Sequence, residues 1–209
     1  GRWVVEKKWP TERIVDREFI ITQQGLVKEH LANRYKKKVD IQSPLSVGLF
    51  GGKWCSYSEV ADLPWDQRVE DGGAMLFETA PLEEEVEILG RPYAELEVSI
   101  DKPQGMVAVR LIDIGENDRG TRITYGLLNL THRDSHEHPE ELEPGKRYKV
   151  KIPMNYIAQK FPKGHKIRLA ISTSYWPLAW PSPEPVKLSV YTENSRLVLP
   201  FRPEAREDN

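Results

Sequence analysis

Hydrophobic and polar residues alternate repeatedly from about residue 76 onward, and this period of two is typical of half-buried β-strands. Successive side chains of a strand point to opposite faces of a sheet, so each alternating stretch predicts one core-facing row and one solvent-facing row. The stretch from Met106 to Ile114 is hydrophobic at nearly every position and predicts a strand covered on both faces. The alternating stretches are residues 94–100, 147–152, 166–171 and 186–190, with Leu197 and Leu199 after them.

Turns rich in Pro and Gly separate the predicted strands, and helix signals are few. One short helix is predicted over residues 155–161, where Ile157 and Phe161 are four positions apart and Pro162 follows. Many strands, short turns and little helix together predict an all-β fold, either a sandwich or a jelly roll.

The first 72 residues lack this regular alternation, and short strands are predicted there only at 3–6 and 19–22. We interpret residues 1–72 as an irregular leader that wraps the sandwich or joins it to a preceding domain. Residues 73–203 are predicted to form the β-domain, and residues 204–209 a polar tail. The leader holds four of the six tryptophans, namely Trp3, Trp9, Trp54 and Trp65.

The composition of the chain argues against several classes of protein. The chain has 209 residues with 30 Lys and Arg against 32 Asp and Glu, so it lacks the basic surplus expected of a nucleic-acid-binding protein. No hydrophobic run approaches the roughly 18 residues that a membrane span needs, so we expect no membrane partner. The single cysteine, Cys55, excludes an internal disulfide, and we expect a cytoplasmic location. The chain opens at Gly1 without an initiator Met, which suggests a fragment of a longer protein.

The sequence lacks the motifs that carry common chemistries. No G-x-S-x-G nucleophile elbow, phosphate-binding P-loop or dinucleotide-binding glycine motif is present. Cys55 lacks the sequence context of a papain-like nucleophile and is interpreted as a packed thiol. We therefore predict no catalytic residue and no cofactor-binding residue in this chain.

Three histidines, His132, His136 and His138, fall within one polar segment. Histidine is a good ligand for zinc and copper, so a metal site is one interpretation. A flexible loop closes a four-ligand site poorly, and the other interpretation, a solvated loop between strands, is favoured. Glu83, Glu84 and Glu85 are likewise interpreted as a solvated face. We therefore predict no metal site.

The segment from Tyr175 to Pro185 is the most unusual in the chain, since it combines three large aromatic residues with four prolines between two predicted strands. Prolines restrict the backbone and lower the entropic cost of presenting a fixed surface. One hypothesis is a binding edge, in which Tyr175, Trp176 and Trp180 contact a partner domain, a ligand or a sugar ring. The other is a loop that folds back over the edge of the core.

Six motifs follow one another along the second part of the chain. They are Leu89-Gly90-Arg91-Pro92, residues 106–113, residues 121–128, Leu142-Glu143-Pro144-Gly145, residues 161–169 and residues 172–183. Together they resemble the C-terminal non-catalytic domain of the X-Pro dipeptidyl-peptidase, cocaine esterase and α-amino-acid ester hydrolase group, over roughly Met75 to Pro200. Residues 3–10 and 66–68 resemble the stretch that leads into that domain.

The resemblance implies a galactose-binding-like jelly roll appended to an α/β-hydrolase domain. In this group a Ser–Asp–His triad lies wholly in the hydrolase domain, so no catalytic residue is carried over to this chain. The resemblance also implies that the jelly roll packs on the hydrolase domain of its own parent chain, helps to shape substrate access and can contribute to homo-oligomer contacts. A carbohydrate-binding module that stacks a sugar on Trp176 or Trp180 is the alternative.

Overall fold

The computed structural model describes residues 3–28, 37–53, 57 and 59–204, in which twelve strands form two antiparallel sheets. The interpretation of Cys55 as a packed thiol lies outside the described residues, as does Trp54. The strands are β1 (Val15–Thr22), β2 (Gly25–Lys28), β3 (Lys38–Ile41), β4 (Met75–Glu78), β5 (Val86–Gly90), β6 (Tyr93–Ile100), β7 (Met106–Ile114), β8 (Gly120–Asn129), β9 (Tyr148–Pro153), β10 (Ile157–Phe161), β11 (Lys166–Ser172) and β12 (Leu188–Phe201). One short helix, α1 (Arg68–Asp71), precedes β4.

The first sheet, sheet A, is organised around the long strand β12. Strands β1, β3, β5 and β6 all pair with β12, while β2 joins β1, β9 joins β6 and β10 joins β5. The second sheet, sheet B, has the order β4-β11-β7-β8. All of these pairs are antiparallel, and the two sheets enclose one main hydrophobic core, so the predicted all-β jelly-roll sandwich is confirmed.

Strand β7 is buried on both faces, as its continuous hydrophobic sequence predicts. Val107, Val109 and Leu111 point into the core between the sheets. Ala108 and Ile112 point to the opposite face and pack in two smaller clusters outside sheet B. A further layer of chain must therefore cover this outer face.

The helix predicted over residues 155–161 is wrong, because the segment forms strand β10. It pairs with β5 in antiparallel register, from Ile157 opposite Gly90 to Phe161 opposite Val86. Positions four apart lie on one face of a helix, but they also lie on one face of a strand. The spacing of Ile157 and Phe161 was therefore compatible with both elements, and pairing with β5 decides between them.

The leader contributes strands as well as irregular chain. Residues 3–6 form no strand, whereas β1 begins at Val15, four residues before the predicted start, and pairs with β12 from Val15 to Ile20. Near the N-terminus, Glu6 accepts a hydrogen bond from Arg202 Nε at 2.8 Å, and this attaches the leader to the segment after β12. The boundary at residue 72 stays a prediction. No helix among the described residues is long and apolar enough to cross a membrane.

Candidate functional site

The described residues between positions 43 and 74, namely 43–53, 57 and 59–74, lie over the outer face of sheet B and are here called the cover segment. Ser43 and Thr173 exchange two hydrogen bonds, from the Ser43 amide to the Thr173 hydroxyl at 2.9 Å and from the Thr173 amide to the Ser43 hydroxyl at 3.0 Å. Val47 packs with Met106 and Tyr175 in a cluster outside the main core. The cover segment is therefore a third layer above sheet B.

A buried carboxylate, Glu70 of α1, fixes the conformation of the cover segment. Its Oε1 accepts hydrogen bonds from the amides of Gly48 at 2.9 Å and Phe50 at 2.7 Å. Its Oε2 accepts a hydrogen bond from Arg110 Nη1 at 3.1 Å, and both side chains of this ion pair are fully buried. The same Arg110 nitrogen donates to Gln67 Oε1 at 2.9 Å. One ion pair thus connects the loop at 48–50, helix α1 and the central strand β7.

A second buried ion pair lies beside the first. Arg168 of β11 contacts Asp71 and donates from Nε to Glu78 Oε1 at 2.6 Å. Burial raises the pKa of Asp71, and the nearby Arg168 and Arg110 oppose this rise. Asp71 Oδ1 is 3.7 Å from Arg110 Nη2, and neither atom has a hydrogen-bond partner among the described residues. The interior beneath the cover segment therefore contains buried charges beside its two hydrophobic clusters.

Residues 175–185, here called the aromatic segment, follow β11 and pack against the cover segment. Tyr175 is fully buried, its hydroxyl accepts a hydrogen bond from Arg122 Nη1 at 2.5 Å, and burial raises its pKa. Gly48 has a φ of +114°, and a Cβ at this position would lie 2.3 Å from the carbonyl oxygen of Trp176. Only a glycine fits this close approach without strain.

Of the three aromatic residues that the sequence analysis selected, Trp180 is the most exposed to solvent. Its side chain is 82% exposed and meets the half-buried Trp176 edge to face, with ring centroids 5.0 Å apart. Tyr175, by contrast, holds the segment from within. The structure therefore supports an anchoring role for Tyr175 and leaves Trp176 and Trp180 as candidates for external contact.

Trp180 belongs to a larger group of exposed apolar side chains on the cover segment and the aromatic segment. We call this group the apolar surface, and its other members are between 44% and 78% exposed. Exposed apolar patches with polar rims mark interaction sites on soluble proteins. Ion pairs between Lys53 and Asp62 and between Arg68 and Asp66 lie on the same cover segment. The members are Leu45, Leu49, Val60, Leu63, Trp65, Val69 and Trp180.

The histidine loop does not form a comparable site. His132 and His136 place their Nδ1 atoms 3.3 Å apart, and His138 is largely exposed beside Glu137. Within the described ranges, no group of three His, Cys, Asp or Glu side chains is arranged to hold a metal ion.

Sequence reasoning missed most of the apolar surface. Leu45 and Leu49 carry no periodic signal, because the chain around them forms turns rather than a helix or strand. A charged residue inside an otherwise hydrophobic strand, Arg110, was the available sign that β7 is covered by a segment bearing carboxylates.

Comparisons with known proteins identify one group. A model of the family described as the X-Pro dipeptidyl-peptidase C-terminal non-catalytic domain matches residues 1–206. The cocaine esterase of Rhodococcus sp. (strain MB1 Bresler) is 29% identical over 116 residues, which are 54% of this chain and 20% of that protein.

Solved structures share the fold at low identity. An aminopeptidase from a marine sediment Thaumarchaeota archaeon matches with a TM-score of 0.76 and 18% identity, over 93% of this chain and 38% of its own. An α-amino acid ester hydrolase matches with a TM-score of 0.74 and 18% identity, over 89% and 36%. A CocE/NonD family hydrolase from Staphylococcus aureus matches with a TM-score of 0.71 and 12% identity, over 93% and 38%. The chain thus spans well under half the length of each of these relatives.

Proposed function

Because the chain belongs to the family of X-Pro dipeptidyl-peptidase C-terminal non-catalytic domains, we propose that it serves as the accessory domain of a serine hydrolase and docks on the α/β-hydrolase domain of its own parent chain. The observation that carries this proposal is the apolar surface on the cover segment, which is rigidly held yet exposed. Preorganised surfaces lose little conformational entropy on binding, so they suit permanent docking between domains.

The parent chain supplies the chemistry in this proposal. The relatives are named as an esterase, an aminopeptidase and an ester hydrolase, which points to cleavage of an ester or amide bond. A serine nucleophile of the hydrolase domain would form an acyl-enzyme, and water would then hydrolyse it. This chain has no nucleophile elbow, so its role is to support the site from outside, through substrate access and oligomer contacts.

Trp180 is the proposed central anchor of the docking surface. Aromatic side chains dominate interface energetics because they bury a large area with few rotatable bonds. The half-buried Trp176 supports the ring of Trp180 from the side, and Leu49 and Trp65 extend the surface along the cover segment. None of the comparisons favours the carbohydrate-binding alternative.

Association between the two domains tests the proposal. The parent's hydrolase domain is produced separately, and its binding to this chain is measured by isothermal titration calorimetry. Trp180→Ala is expected to weaken binding by roughly thirtyfold, equivalent to about 2 kcal/mol, because it removes an interface anchor. The melting temperature of this chain alone should stay nearly unchanged, since the ring is mostly exposed here.

Trp9→Ala is the matched control, because Trp9 lies beside Gly90 of β5 in sheet A, away from the apolar surface. It should leave binding unchanged. Equal binding by Trp180→Ala and the unmodified chain would place the docking surface elsewhere. A loss of about 3 kcal/mol or more in the stability of the isolated chain would instead make Trp180 a core residue.

A further inference from the structure

A cavity that shares no residue with the apolar surface is lined by residues of strands β1, β2, β5 and β12 and of the connection after β4. It has a volume of about 400 Å³ and lies between the β1–β2 hairpin and the connection from Thr79 to Val86. That volume falls within the range of small-molecule sites. Its floor consists of the buried hydrophobic side chains Phe19, Leu26, Val86 and Phe201.

Two cations stand at the rim of this cavity on the core-facing side of sheet A. Arg17 pairs across the sheet with Leu199, and Lys28 pairs with Phe19, so both cations share the face of buried core residues. The guanidinium of Arg17 lies 4.4 Å from the ring centroid of Phe201. Neither cation forms an ion pair with any side chain in the described part of the chain. Their charges are therefore available to an anionic group above the floor.

Two carboxylates line the same cavity from the opposite side. Glu83 and Glu84 belong to the connection between β4 and β5 and form no ion pair with a described residue. The next residue, Glu85, does pair, with Lys160 at 2.6 Å. The connection itself is held in place, because the Leu82 amide donates to the His165 carbonyl at 2.8 Å. The rim thus presents positive and negative charges on opposite sides of an apolar floor.

We propose that this cavity binds a short zwitterionic peptide with an apolar side chain. The carboxylate of the ligand lies between Arg17 and Lys28, its ammonium group faces Glu83 and Glu84, and its side chain packs on the hydrophobic floor. Hydrogen bonds between ionised groups are stronger than neutral ones, and a cavity of this size accepts one or two residues. The inference is independent of docking on a hydrolase domain, because none of these residues belongs to the apolar surface.

A purely structural account of Lys28 makes a different prediction. Strand β2 is an edge strand of sheet A, and an inward-pointing lysine on an edge strand discourages pairing with other chains. Under that account the cavity would bind no peptide. The two accounts are therefore separated by a binding measurement.

The experiment titrates the intact chain with the dipeptide leucyl-phenylalanine and measures binding by saturation-transfer NMR and calorimetry. Three further probes each lack one feature: the N-acetylated dipeptide lacks the ammonium group, the C-terminal amide lacks the carboxylate, and glycyl-glycine lacks the apolar side chains. Each is expected to bind at least about tenfold more weakly than leucyl-phenylalanine. Undetectable binding of leucyl-phenylalanine, or equal binding of the N-acetylated or amidated probe, would overturn the assignment.

Substitutions locate the binding on the protein. Arg17→Met keeps an aliphatic chain over Phe201 and removes the charge, and Lys28→Met does the same on β2. Each should weaken dipeptide binding at least about tenfold while leaving the melting temperature within a few degrees of the unmodified chain. Lys187→Met, at an exposed position before β12, is the matched control and should leave binding unchanged. Equal loss in the control and in the cavity variants would show non-specific attraction and refute the site.

Discussion

Glu70 shows how one buried carboxylate can determine the shape of a surface that it does not reach. Its two oxygens accept hydrogen bonds from two backbone amides of the loop and from Arg110. Desolvation of two charges offsets much of their attraction, so such a pair adds little net stability relative to a hydrophobic pair. Removal of one partner, however, leaves the other charge buried and uncompensated. Glu70 therefore restricts the loop at 48–50 to one conformation, and this loop holds Leu49 at the surface.

Asp66 is the residue whose titration should be visible in the stability of the domain. Hydrogen bonds from the Arg68 side chain, with further bonds from the amides of Arg68 and Gly120, lower the pKa of Asp66 from 3.8 to about 2. The folded state therefore binds this proton more weakly than the unfolded state. The stabilisation is complete above pH 3.8 and is lost as the pH falls towards 2.

We accordingly expect Asp66→Asn to lower the free energy of unfolding at pH 7 by up to about 2 kcal/mol. The difference from the unmodified chain should shrink between pH 4 and pH 2, because protonated Asp66 no longer attracts Arg68. Urea denaturation at a series of pH values measures this difference. Asp16→Asn, which removes one carboxylate at an exposed position of β1, is the control for the loss of a single negative charge. A difference for Asp66→Asn that stays constant from pH 7 to pH 2 would contradict the assignment.

At the scale of elements, alternation in the sequence predicted strands β6 and β9, in which buried and more exposed positions alternate over most of the strand. Strand β11 also follows its predicted stretch, although it is buried on both faces, and β7 follows from its continuous hydrophobicity. Strand β1 was only half predicted, because its first three residues are exposed, the fourth is half-buried, and the four give no alternation before Phe19. The position of β1 depends on its pairing with β12, and a local sequence pattern does not predict pairing between distant residues.

The sequence also did not predict that the cover segment forms a layer over sheet B. Its side chains are buried by lying across a sheet formed by distant residues, so their spacing follows that sheet rather than a helical or strand period. The aromatic segment was recognised from composition alone, and composition could not separate the buried Tyr175 from the exposed Trp180. The burial of these two residues depends on the close contact between Gly48 of the cover segment and the backbone of Trp176 in the aromatic segment.

Gly48 provides a test of this contact between elements. Gly48→Ala should destabilise the domain by about 2 kcal/mol, because alanine is strained at a φ of +114° and its Cβ would collide with the backbone of Trp176. Gly72→Ala is the matched control, since Gly72 has a φ of −61° and open space around it. The control should be neutral or slightly stabilising. Thermal unfolding of the two variants measures both effects, and equal melting temperatures would refute the close approach.

At the scale of the whole molecule, two sheets and a cover segment form three layers, with the apolar surface outermost. A nucleophile elbow needs a sharp turn between a strand and a helix, and helix α1, the only α-helix among the described residues, has four residues. The family model that matches the chain is described as a non-catalytic domain.

The chain by itself is therefore expected not to hydrolyse p-nitrophenyl esters or X-Pro anilides. The measurement follows product absorbance across chromatographic fractions of the purified chain. Turnover that rises and falls with the protein and is abolished by a serine-reactive phosphonate would refute this expectation. Activity that separates from the protein peak would come from a contaminating hydrolase.

The buried charges beneath the cover segment have a consequence for protein engineering. A fusion that began at residue 73 would discard Glu70 and Asp71, so that Arg110 would lose both carboxylates that lie near it and Arg168 would keep only Glu78. It would also remove β1, which pairs with β12 over six positions. A fusion protein that carries this domain therefore has to begin before Val15, so that it includes β1 and the cover segment together with the two sheets.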